Sequence, residues 1–148
     1  MNMQALERYQ PYGITLLRVV IGIVFFVHGL QKLFMFGLEG TTGFLASLGV
    51  PAAGLMAVLL IATETLGGLA LILGLFTRWA AIPLAVVMLV AMFTVHITNG
   101  FFVGNNGYEF VLTLFVGNIA LVLLGSGALA VDQILAQRKA GAMKQATA

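Results

Sequence analysis

The chain has no cysteine, three prolines and one tryptophan, and only 8% of its 148 residues are Asp, Glu, Lys or Arg, against roughly 25% in an ordinary soluble domain. Without cysteine it can form no disulfide, thiol relay, or thiolate-held metal or iron–sulfur cluster of its own. Any redox chemistry therefore needs another carrier. The shortage of charge comes with 61% hydrophobic residues, more than a soluble core can absorb. The net charge of +2 does not point to nucleic acid, because the cations are scattered or grouped in the tail and read as topology signals.

What remains is a set of apolar runs long enough to cross a bilayer, since about 20 residues at about 1.5 Å rise span a hydrocarbon core of about 30 Å. The runs predict an all-α integral membrane four-helix bundle, one domain over residues 1–127, with spans near 13–36, 52–76, 78–98 and 108–124. A cytoplasmic tail follows over 128–148. Thr42 to Leu48 is too short to span, but its Phe44, Leu45 and Leu48 share one side, as in an interfacial or re-entrant half-helix between spans one and two. Pro51 suits the opening of the second span, and Thr77 is the expected N-cap of the third. The run from Ile14 to Phe36 is too long for a signal h-region and contains Arg18, which argues against a cleaved signal. Arg8, Arg78, Arg138, Lys139 and Lys144 fall on one side of these spans, so the positive-inside rule puts both termini in the cytoplasm.

Arg18, His28, Lys32, Glu64, His96 and Glu109 lie inside or at the edge of the apolar runs. An ionisable group there costs about 2.5–3.5 kcal/mol on insertion scales, so it is normally paired or used. Arg18, His28 and Lys32 share one face of the first span at about 100° per residue. Counting depth along each span sets Glu64 near Arg18, which makes these two the candidate buried ion pair, serving either helix register or chemistry. His28, Lys32, His96, Asn99 and Glu109 fall at similar depth near the outer leaflet and form the candidate functional cluster. In it Glu109, His28 and His96 are the acid–base candidates, and Lys32 and Asn99 the ligand-binding ones. Asn118 and Thr113 are expected to bond between helices. No Glu-x-x-His pair is present, as a di-iron bundle would typically show, and two histidines alone are thin grounds for a metal or haem.

Several of these residues form a recognisable set. Arg18, His28-Gly29 and Lys32, then Gly49-Val50-Pro51, Glu64 with Gly67-Gly68, Gly74-Leu75 before Thr77-Arg78, Asn99-Gly100 and Gly107-Tyr108-Glu109 together resemble the DoxX family over about Tyr12 to Asp132. The chain departs from the family after the fourth span, where Gly125-Ser126-Gly127 replaces Gly-Pro-Gly. The resemblance implies a bacterial inner-membrane protein linked to oxidoreductase chemistry, with quinone-linked sulfur oxidation, quinone resistance and oxidative stress as associated settings. The expected function is then a quinone- or quinol-interacting oxidoreductase component, with quinone as ligand and a soluble redox partner or a second copy as associate. The competing classes are a small-solute or proton transporter and a scaffold that recruits soluble redox enzymes.

Overall fold

A computed structural model describes residues 6–146, with side chains through Arg138. The end of the expected tail and the side chains of Lys139 and Lys144 lie outside the described residues. All regular structure described is helical. Helix α1 (Gln10–Gln31) continues through a π-helical turn, Lys32–Phe36, into the short α2 (Gly37–Ser47). Then come α3 (Ala53–Leu73), α4 (Thr77–Ala91) with a second π turn at Met92–His96, α5 (Glu109–Leu124) and α6 (Val131–Ala146). Two 3-10 turns, Ile97–Asn99 and Val103–Asn105, shape the connection from α4 to α5.

The helices from α1 to α5 are apolar on their outward faces, and this identifies their solvent. On α1 the stripe Leu16, Val20, Ile23 and Val27 is exposed, while Arg18, Ile21, Gly22, Phe25 and Gly29 are buried. The same holds on α4, where Ile82, Val86, Val90 and Phe93 face outward. An outward face as apolar as the inward one belongs in lipid. Three helical stretches, Gln10–Ser47, Ala53–Leu73 and Thr77–Asn99, are long and apolar enough to cross a membrane. The fourth, α5, is apolar but only 16 residues long, about 24 Å at 1.5 Å per residue. The exposed Phe101, Phe102 and Val103 just before it extend its apolar surface toward the full thickness.

The half-helix expected over Thr42–Leu48 is present as α2, but it begins five residues earlier, at Gly37 directly after the π turn, and packs on α3. At the start of α4 the expected N-cap is corrected. Phe76 holds the cap position with φ of 48°, and the Thr77 hydroxyl makes no hydrogen bond. The capping acceptor is Asp132 of α6, whose two carboxylate oxygens take the amide hydrogens of Phe76 and Thr77 at 2.7 and 3.1 Å. A carboxylate serves two orphan amides and opposes the positive helix end, which a hydroxyl cannot do as well. Asn118 and Thr113 also depart from expectation. Each bonds a carbonyl of its own helix, Leu114 at 2.8 Å and Glu109 at 2.8 Å.

Packing is dominated by two antiparallel pairs, α1 on α3 and α4 on α5. The first is set by glycine. A Cβ on Gly68 would lie 2.5 Å from the Phe26 amide nitrogen and 2.8 Å from the Gly22 carbonyl oxygen, and one on Gly22 would meet the Gly68 carbonyl at 2.8 Å. Backbone therefore touches backbone, the arrangement that small residues permit between membrane helices. Gly68→Ala is expected to lower thermal stability in detergent. Its gain in helix propensity, about 0.8–1 kcal/mol, is outweighed by overpacking against rigid backbone, about 1–3 kcal/mol or more. Gly54→Ala, whose Cβ would meet only a Thr42 methyl at 3.9 Å, should be neutral or stabilising. A melting series in which Gly68→Ala is as stable as the parent would contradict this account of the α1–α3 contact.

Candidate functional site

The buried charges do not pair as the sequence suggested. Arg18, 1% exposed, has no carboxylate partner among the described residues and sits in a cage of backbone carbonyls. Its Nε donates to Ser126 at 3.0 Å, Nη1 to Ile72 at 2.9 Å and also to Leu71, and Nη2 to Leu129 at 3.3 Å. Leu71 and Ile72 end α3, and Ser126 and Leu129 lie in the link from α5 to α6. The guanidinium thus reaches carbonyls at a helix end and in a turn, among them that of Leu71, which also accepts the Gly74 amide at 3.1 Å. Gly74 makes room for it, because with φ of +68° a Cβ there would stand 2.7 Å from Arg18 Nη1.

Glu64 pairs with Lys32 instead. Lys32 Nζ lies 2.7 Å from Glu64 Oε2, with the two side chains 21% and 4% exposed. The register explains the exchange of partners. In the antiparallel contact Gly22 lies on Gly68 and Gly29 on Thr65, so one end of α1 brings Arg18 to Leu71 and Ile72 while the other brings Lys32 to Glu64. Glu64 is seven residues before Leu71, about 10.5 Å along the axis. It is therefore out of Arg18's reach and belongs to the outer cluster from which depth counting had separated it.

The pair stands at the edge of a cavity of about 700 Å³ enclosed by α1 to α5. Its walls are chiefly apolar, with Phe25, Leu60, Val87, Ala91 and Leu114 among them, and its polar side chains are few: His28, Gln31, Lys32, Thr63, Glu64, Thr94, His96 and Asn106. Both π turns contribute, one through Lys32 and Phe36, the other through Thr94 and His96. Such bulges re-aim side chains and recur at functional sites. The size and the apolar-with-few-polar character fit an organic ligand. On the α3 and α4 sides the wall includes Met56, Leu59, Val86 and Val90, which are also exposed to the exterior, so the cavity reaches the lipid-facing surface between these helices. Gln31 and Thr63 were not singled out from the sequence. Their only signal is adjacency to Lys32 and Glu64.

His28 lines the cavity with its ring 6.3 Å from that of Phe110. His96 Nδ1 lies 2.8 Å from the Asn106 carbonyl. A carbonyl can only accept, so Nδ1 carries the hydrogen and Nε2 of the neutral ring is left as an acceptor. Asn99 and Glu109 are not on the cavity wall. Asn99 Nδ2 donates to the Val95 and Asn106 carbonyls at 3.0 and 3.3 Å. Glu109 Oε1 accepts the Val103 amide at 2.6 Å, and together with the Tyr108-to-Gly100 and Glu109-to-Phe101 backbone bonds it closes the loop before α5. Glu109 and Asn99 thus bond within the loop before α5, and Glu64 is the carboxylate on the cavity wall. Among the described residues, no group of three or more His, Asp or Glu gathers as metal ligands would.

A profile of the DoxX family matches residues 13–97. CatD of Bacillus subtilis (strain 168), named as a candidate oxidoreductase, is 39% identical over 127 residues, 86% of this chain and 90% of that protein. The inner membrane protein YqjF of Escherichia coli (strain K12) is 32% identical over 132 residues, 88% of this chain and 97% of that protein. The uncharacterized membrane protein Rv3486 of Mycobacterium tuberculosis (strain ATCC 25618 / H37Rv) is 31% identical over 138 residues, 86% of this chain and 84% of that protein. No solved structure matches.

The geometry predicts an asymmetric double-mutant cycle. Lys32→Met leaves the more deeply buried Glu64 charge uncompensated and should cost about 3–5 kcal/mol. Glu64→Gln should cost less, because the long Lys32 side chain can reach toward water. The double variant should recover much of the loss. Arg18→Met and Glu64→Gln, which share no partner, should be additive. Thermal unfolding of the five variants in one detergent decides it, and additivity for Lys32 and Glu64 would refute their pairing.

Proposed function

The chain belongs to the DoxX family, and we propose that it is an inner-membrane oxidoreductase component whose outer cavity binds a quinone-like head group. The observation that carries this reading is the Lys32–Glu64 pair at the edge of an apolar cavity that reaches the lipid-facing surface. The cavity bears no net charge when the pair is ionised and the histidines are neutral, so it suits a neutral head group that both donates and accepts hydrogen bonds. A quinone carbonyl takes a donor, which Lys32 supplies. A quinol hydroxyl must lose its proton, for which Glu64 and His96 Nε2 are the available bases. The apolar walls and the lateral opening accommodate a hydrophobic tail arriving from the bilayer.

Oxidation of a quinol to the quinone releases two protons and two electrons. Glu64 and His96 would receive the protons. The electrons have no thiol of this chain to pass through and would go to a bound cofactor or a soluble partner. Names borne by relatives support the assignment to oxidoreductase chemistry and to the inner membrane.

Mass spectrometry of the protein purified in mild detergent should find a co-extracted quinone at near stoichiometric amount. Glu64→Gln keeps shape and hydrogen bonding, so it should abolish proton-linked turnover while weakening ligand binding about tenfold or less. Glu109→Gln still offers an oxygen to the Val103 amide and should leave turnover nearly unchanged. The reverse ranking would refute the site. Absence of quinone together with solute flux in proteoliposomes would replace this reading with transport.

The cation distribution supports a topology with both termini in the cytoplasm. Because the chain lacks cysteine, single cysteines report without background. Asn105→Cys should react with an impermeant thiol reagent added outside intact cells, and Gln137→Cys only after lysis. The opposite pattern would invert the topology.

A further inference from the structure

A second cavity, of about 540 Å³, opens at the other end of the bundle, where the turn between α3 and α4 meets the link from α5 to α6. Its wall includes Thr77, Arg78, Ser126 and Gln133. Arg78 is the one cation of this wall. It lies beside Gly125, with a would-be Cβ there 3.3 Å from Nε and from Nη2, and among the described residues it makes no hydrogen bond or ion pair. Arg18, by contrast, is saturated by carbonyls. The acid in the wall, Asp132, spends both oxygens on the Phe76 and Thr77 amides. It leaves Arg78 unpaired and also closes the α4 N-terminus to any other anion.

The rim of the same cavity is apolar and faces outward. Phe76, Trp79 and Leu124 are 62%, 75% and 49% exposed, at the ends of helices whose outer faces lie in lipid. An unpaired, exposed guanidinium beside a greasy rim at the level where a span ends is complementary to an amphiphile with an anionic head. Guanidinium matches phosphate oxygens in geometry and charge, and Trp is the side chain that settles at head-group level. We propose that this cavity binds the phosphate of an anionic phospholipid, with Arg78 as its ligand and the acyl chains against Phe76, Trp79 and Leu124. The site is independent of the outer cavity and of what that cavity binds.

Trp79 is the only tryptophan of the chain, so the site carries its own reporter. The full chain is reconstituted in phosphatidylcholine bilayers containing a small fraction of phosphatidylglycerol with brominated acyl chains, and tryptophan quenching is compared with the same fraction of brominated phosphatidylcholine. Brominated phosphatidylglycerol should show an apparent preference of about fivefold, the scale of one basic side chain at an anionic surface. Arg78→Gln should abolish the preference and Arg138→Gln, on the tail, should keep it. Inorganic phosphate should not relieve the quenching. Equal quenching by the two lipids in the unaltered protein would overturn the proposal without recourse to any variant. So would an equal loss in Arg138→Gln, which would mean diffuse surface charge, or relief by inorganic phosphate, which would mean a site for free phosphate.

Discussion

The contact of α1 with α3 at Gly22 and Gly68 is the constraint from which the rest of the bundle follows. Membrane helices gain little from burying apolar surface against one another, since lipid is equally apolar, so close van der Waals approach has to hold them. Two glycines facing each other let the backbones touch, and that contact fixes the axial offset of the pair. Once the offset is fixed, the buried charges on the facing sides have assigned partners. Arg18 meets the carbonyls at the end of α3, and Lys32 meets Glu64.

The two ends of the bundle use charge differently. At the tail end, Arg18 and Asp132 are consumed by backbone: the guanidinium collects carbonyls from α3 and the α5–α6 link, and the carboxylate caps α4. Together they tie the tail to the membrane domain and satisfy groups that lipid could not. At the opposite end, the Lys32–Glu64 pair is only partly enclosed and borders a large apolar cavity. A partly enclosed ion pair there retains donor and acceptor capacity, and that difference makes one end structural and the other a candidate for chemistry.

The cavity depends on irregular backbone as well as on packing. The π turns at Lys32–Phe36 and Met92–His96 follow α1 and α4 at the cavity end of the bundle and set Lys32 and His96 on the cavity wall. The loop that follows α4 is held by Glu109 and Asn99, and its Asn106 carbonyl fixes the tautomer of His96. Two residues that do not line the cavity, Glu109 and Asn99, thus hold the loop whose carbonyl sets the tautomer of one that does.

The sequence alone determined the solvent, the helical class and the face of each helix. Hydrophobicity and the 3.6-residue period are local properties, and the high cost of charge in lipid singles out Arg18, His28, Lys32, Glu64 and His96 wherever they occur. It also held enough specific residues to point to the family. Which charge pairs with which was decided only by tertiary structure, because periodicity gives the angle of a residue around its helix but not the sliding of one helix along another. Depth counting therefore matched Glu64 to Arg18, while the glycine contact matched it to Lys32. The backbone bond made by Glu109 is not legible in the sequence for a related reason. That residue's place at the start of an apolar helix is visible in the sequence, but the fold of the preceding loop, which brings the Val103 amide to its carboxylate, arises from contacts between residues that no local pattern connects.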